Sequence, residues 1–167
     1  SIAGNEITHE DCRKLTETPS GGEGIIFLTS KKLTWSVSQD INTVPLIIVL
    51  KSSLQKDVNT IQVNICSKHI SSYKTANVIG MIEGNKQKDS LIFVTAHYDH
   101  LGRMGSTAYF PGANDNSSGI AMLLNLARHF SQEKNQQPYT LVFVAFAGEE
   151  AGLVGSKYYT ENPVLPL

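Results

Sequence analysis

The chain has 167 residues, 41% of them hydrophobic and 17% charged, proportions ordinary for a chain that buries a core. Its formal net charge of -1 argues against the basic footprint of a nucleic-acid binder. No apolar run approaches the roughly 20 residues of a membrane span, the longest being the strand-sized Val44 to Leu50.

No basic region followed by an apolar one stands at Ser1, so no signal peptide is visible, although a removed one would leave the same start. The two cysteines, Cys12 and Cys66, fit no metal-binding spacing and are read as buried or incidental thiols. Thr8 is placed to cap a short helix over His9 to Glu17, ended before Pro19. Ile25 to Leu28 and Pro45 to Leu50 read as buried strands, with polar loop across 29–43 between them. Ile61, Val63 and Ile65 alternate with polar residues, as in a half-exposed strand.

A different texture begins near Thr75. Asn77 to Glu83 reads as a strand, and GNKQKDS (84–90) as a turn. Leu91 to Ala96 is a continuous apolar strand. Glycines and prolines mark 102–112 as loop. A helix follows from Ser117 to Phe130, with Ile120, Leu123, Leu124, Ala127 and Phe130 spaced for one face. Gln132 to Pro138 is a polar connection, Leu141 to Phe146 a fully apolar strand, and Leu153 to Thr160 a last helix. Apolar strands separated by a helix predict a parallel layer covered on both faces. The expected fold is α/β: a mixed, mainly parallel sheet flanked by helices (75–167), preceded by a small β-rich accessory segment (1–74).

The ionisable residues gather where this fold places sites. The strand Leu91–Ala96 runs into His97-Tyr98-Asp99-His100, Asp115 precedes the helix, and Glu149 and Glu150 follow the strand Leu141–Phe146. Sites in open parallel sheets form at the carboxyl ends of the strands. Imidazole and carboxylate are the usual non-thiol ligands of zinc. Asp99, two residues beyond His97, would point to the same side of an extended strand and suits a carboxylate partner orienting a ligating imidazole. Two adjacent glutamates repel, a cost that a divalent cation removes for one while leaving the other as a base. Each feature alone has an ordinary reading: Asp115 as a helix cap, the glutamates as a solvated first turn, His97 as a hydrogen-bonded strand end. Their joint placement is harder to assign to chance. His9, His69 and His129 lack such surroundings and read as surface or structural, with His100 intermediate.

TAHYDHLG, PGANDNSSG and FVAFAGEEAGLVGS, led by TANVIGMIEG, resemble in order and spacing the M28 family of metallopeptidases, the co-catalytic zinc aminopeptidases. The resemblance covers about residues 75–160. It implies two zinc ions, with His97 ligating one, Asp115 bridging both and Glu150 ligating the other. It further implies that Glu149 is the general base, that Asp99 partners His97, and that the Asp115–Asn116 peptide is cis. The substrate it implies is a peptide with a free N-terminus, in an extracellular or periplasmic setting. The family pattern continues with a further aspartate and a later histidine, and no Asp follows Asp115 and no His follows His129. The expectation is therefore a truncated member, inactive alone, with an exposed sheet edge that favours self-association. GEGIIFL and VPLIIVL resemble the end of a protease-associated (PA) domain. Two alternatives stay open: a glutaminyl-cyclase-like acyltransferase using a single zinc, and a non-catalytic binding ectodomain on a peptidase fold.

Overall fold

The computed structural model describes residues 24–33, 36–41, 44–54 and 68–166. The expected helix over 9–17, the strand around Ile61 to Ile65 and both cysteines lie outside these residues. The chain divides into two compact units, Ser1–Ser71 and Ser72–Leu167.

In the first unit, β1 (Ile25–Thr29) and β2 (Leu46–Leu50) pair in parallel, from Ile25 against Leu46 to Thr29 against Leu50. Both strands stand where the apolar runs predict them, but they are not buried. Ile26, Leu28 and Ile48 are exposed. Among the described residues the sheet has only these two strands.

The second unit is built on a three-stranded sheet of order β3-β7-β4, comprising β3 (Val78–Ile82), β4 (Gln87–His97) and β7 (Tyr139–Phe146). Between β4 and β7 in sequence come a small hairpin, β5 (Arg103–Met104) with β6 (Ala108–Tyr109), and the helix α1 (Ser118–Phe130). A second helix, α2 (Val154–Glu161), follows β7. The sheet is mixed. β4 runs parallel to β7, whereas β3 joins the other side of β7 antiparallel. Among the described residues no helix is long and apolar enough to cross a membrane.

β7 is the central strand, and its composition follows from that position. Thr140 to Val144 are all buried, with Val142 and Val144 fully inaccessible. One face of the sheet packs Ala96, Leu141 and Phe143 on Leu123 of α1, with Val94, Ile120, Leu126, Ala127 and Phe130 around them. On the opposite face, Phe93 and Phe146 meet the ring of Tyr159 of α2 edge-on, at 6.2 and 6.1 Å. Alternation along the strands sends neighbouring side chains to opposite faces, so each helix receives its own set. The buried Thr140 hydroxyl accepts from the Gly84 N–H at 3.0 Å and donates to the Lys88 carbonyl at 2.7 Å, which meets the requirement that a buried polar group be paired.

The helices sit close to the strand ends. Gly155 of α2 approaches the Ala147 carbonyl so nearly that any Cβ there would collide with it and with the Asn77 amide. Asn77 fills the same junction, accepting from the Ala147 N–H at 3.1 Å and donating to the Gly155 carbonyl at 2.8 Å. This ties the start of β3, the end of β7 and the first turn of α2, and so fixes where the segment 147–153 leaves the sheet.

Two details differ from expectation. The polar stretch 87–90 is not turn but the beginning of β4. Leu124 is 61% exposed, and Leu126 takes its place on the face of α1 that meets the sheet.

Candidate metal centre

Because β4 and β7 are parallel, their carboxyl ends lie side by side. His97 pairs in register with Phe146, and the Tyr98 N–H continues the ladder to the Phe146 carbonyl at 3.0 Å. The chain segments that leave these ends, 98–100 and 147–150, are thus neighbours, although about fifty residues separate them.

Asp99 locks them together. Its Oδ1 accepts from the Glu149 N–H at 3.0 Å and its Oδ2 from the Glu150 N–H at 3.1 Å. One carboxylate holds the main chain of both glutamates in a charge-assisted pair. The expected contact to His97 is weaker: Asp99 Oδ1 is 3.7 Å from His97 Nδ1, and the nearer acceptor is the Asp99 main-chain carbonyl at 3.2 Å. The reason is that β4 ends at His97, so strand alternation no longer governs residue 99.

The other nitrogen of His97 faces two carboxylates. Nε2 is 3.0 Å from Asp115 Oδ1 and 3.8 Å from Glu149 Oε2. Asp115 lies in the kinked segment Ala113–Ser117 that leads into α1, where Asp115 and Asn116 carry non-helical backbone angles. The Asp115–Asn116 peptide is cis. Capping of α1 falls to Asn116, whose Oδ1 accepts from the Gly119 N–H at 3.1 Å. Asp115 is therefore not spent as a helix cap and turns its carboxylate to His97.

Glu150 takes a different partner. Its Oε1 lies 2.7 Å from His100 Nδ1. The site thus holds two pairings, His97 with Asp115 and His100 with Glu150, with Glu149 beside the first and Asp99 bracing both glutamates. His100 as the partner of Glu150 is the contact that reading the residues missed. His69 is exposed, and His129 is held by Asn135 at the far end of α1.

The donor chemistry fits a divalent cation. A carbonyl can only accept, so with its proton on Nδ1 His97 would have Nε2 available to a cation held between it and Asp115. Ligand atoms about 2.0–2.2 Å from a tetrahedral ion lie roughly 3.3–3.6 Å apart. The observed 3.0 Å between His97 Nε2 and Asp115 Oδ1 lies slightly below that interval. The ligand set is nevertheless partial: among the described residues no group of three or more His, Cys, Asp and Glu side chains is arranged to hold an ion.

Comparison with known proteins finds relatives named as a zinc metalloprotease and an aminopeptidase. The chain is 26% identical over 166 residues to aminopeptidase YwaD of Bacillus subtilis, covering 96% of this chain and 34% of that protein. It is 40% identical over 91 residues to a probable zinc metalloprotease of Pyricularia oryzae, covering 53% of this chain and 18% of that protein. The chain therefore spans about a third or less of the length of these relatives. The structure of BSAP, a zinc aminopeptidase from Bacillus subtilis, shares the fold, with a TM-score of 0.61 at 23% identity over 95% of this chain and 38% of that one. Peptidase family M28 matches residues 77–166, the whole stretch from the start of β3 past α2, and the chain belongs to that family.

Proposed function

We propose that the protein of which this chain forms part is a zinc-dependent aminopeptidase, hydrolysing the N-terminal bond of peptides. The observation that carries the reading is the meeting of His97, Asp115 and Glu149 at the shared carboxyl edge of β4 and β7. The printed names of the relatives, a zinc metalloprotease and an aminopeptidase, support the same class.

His97 and Asp115 would hold one zinc ion, and Asp115 with Glu150 a second. Zinc bound there supplies Lewis-acid polarisation of the scissile carbonyl and activates water for attack. The remaining steps belong to the chain. Glu149 accepts a proton from the attacking water as its oxygen bonds to the carbonyl carbon. The C–N bond then breaks, and Glu149 returns the proton to the leaving amine. Asp99 holds the Glu149 and Glu150 main chain so that both carboxylates keep their places. The first unit is proposed to be the end of a PA-like insert, and the setting extracellular or periplasmic. Appearance of the protein in the medium or periplasm of expressing cells tests the location, and retention inside would count against it.

The function is tested on the full-length protein stripped of metal and reloaded with zinc. The expected result is release of nitroaniline from leucine p-nitroanilide only in the zinc-loaded form, and none from the N-acetylated substrate. Equal cleavage of the acetylated substrate would remove the aminopeptidase assignment, and equal turnover by the stripped protein would remove the zinc.

A further inference from the structure

Glu149 and Glu150 are adjacent, and Asp99 holds both of their N–H groups. Their carboxylates nevertheless have different surroundings. The Glu149 side chain is 36% exposed, and its nearest described partner is His97 at 3.8 Å. The Glu150 side chain is 17% exposed and lies 2.7 Å from His100 Nδ1. That distance is at the short end of charge-assisted nitrogen–oxygen hydrogen bonds. An ionised carboxylate can only accept, so the proton of this bond is assigned to His100 Nδ1.

The His100 ring is itself held. A Cβ at Gly112 would lie 3.0 Å from His100 Cγ and Cδ2, closer than ordinary van der Waals contact. The bare backbone of Gly112 thus forms one wall of the ring's place, in the same loop that carries Asp115. The motif His97–His100 therefore fixes Glu150 twice, at its N–H through Asp99 and at its carboxylate through His100, while among the described residues the Glu149 carboxylate has no such tether.

We propose that His100 is a positioning residue for Glu150: its Nδ1–H holds Oε1 and so fixes how the Glu150 carboxylate is presented to a divalent cation. This rests on the reading of the site as a zinc centre. It accounts for the different behaviour asked of two neighbouring glutamates. A ligand gains from a fixed carboxylate, whereas a base that takes and returns a proton needs an oxygen free to receive it. Partners that orient a ligand in this way typically contribute about 10–100-fold to metal affinity.

The test is zinc titration of the metal-stripped full-length protein against a chromogenic chelator, for wild type, His100→Ala and His100→Asn. The Asn side-chain amide places an N–H donor near the position of Nδ1. The expected result is that His100→Ala weakens one zinc equivalent by about 10–100-fold and leaves the other at wild-type affinity. His100→Asn is expected to restore most of the loss. Circular dichroism of the stripped variants checks that they fold, and His100→Asn keeps the test open if His100→Ala does not. Wild-type affinity for both equivalents in both variants would overturn the proposal, as would equal weakening of both equivalents in both. Failure of the wild-type protein to bind zinc would instead overturn the metal-centre reading itself.

Discussion

Replacing Glu149 by Gln in the full-length, zinc-loaded protein is expected to lower kcat by about 10²–10⁴-fold, the usual contribution of a positioned general base. Zinc content should stay at the wild-type level. Glutamine has nearly the shape of glutamate and keeps the main-chain bond to Asp99 Oδ1, but it cannot take a proton from water. The fall should appear in kcat rather than KM, because the lost interaction exists only as the proton moves. Steady-state kinetics beside metal analysis separates the outcomes. Loss of zinc together with kcat would make Glu149 a ligand, and an unchanged kcat would place the base elsewhere.

Asp99→Asn is expected to act more widely. The aspartate accepts two N–H groups, one on each oxygen. An asparagine has a single acceptor oxygen and sets its own N–H₂ against the second donor. At least one bond to a charged acceptor is lost, with a cost of about 1.5–3 kcal/mol. The glutamates that depend on it are displaced with it. Zinc affinity should fall about 10–100-fold, and the melting temperature should fall even with chelator present. The chelator arm matters: a variant whose stability falls only when zinc is available would have lost metal binding alone, contrary to a structural role for Asp99 in bracing 149–150.

Much of the unit carrying the site is legible from the residues, because burial leaves a direct signature. Leu141 to Phe146 is apolar throughout, as the central strand buried between both helices requires, and Leu91 to Ala96 is apolar but for Thr95, which is exposed. Where main-chain pairing rather than burial makes the structure, that signature vanishes. Residues 87–90 are polar and read as turn, yet they begin β4, because Gln87 pairs with Tyr139 and the Gln87 N–H reaches the Pro138 carbonyl at 2.8 Å. Edge strands need no apolar side chains to make these bonds. The two-residue strands β5 and β6 are too short for any period to show. Leu124 and Leu126 both lie near the apolar stripe of α1, and only the packing of the sheet decides which one is covered.

The site was legible in a similar way. Strand ends and a helix start point His97, Asp115, Glu149 and Glu150 to one edge, because parallel strands put their carboxyl ends together. The finer contacts depend on where the chain leaves regular structure. Strand alternation was the reason to pair Asp99 with His97, and it lapses when β4 ends at His97. The Asp99 carboxylate is then free to reach the Glu149 and Glu150 main chain. His100 had no periodic argument to place it, although its position inside HYDH, one residue from Asp99, was the available signal. The ordinary alternative for Asp115, a helix cap, is filled by Asn116, one residue on, a distinction that depends on the non-helical backbone angles of both residues.

The most direct measurement is anomalous diffraction at the zinc edge from crystals of the full-length protein. The account predicts an ion about 2.0–2.2 Å from His97 Nε2 and from an Asp115 carboxylate oxygen, with Glu149 close by and not ligating. A zinc-saturated crystal in which His97 and Asp115 keep their direct 3.0 Å contact, with the ion bound elsewhere, would contradict it.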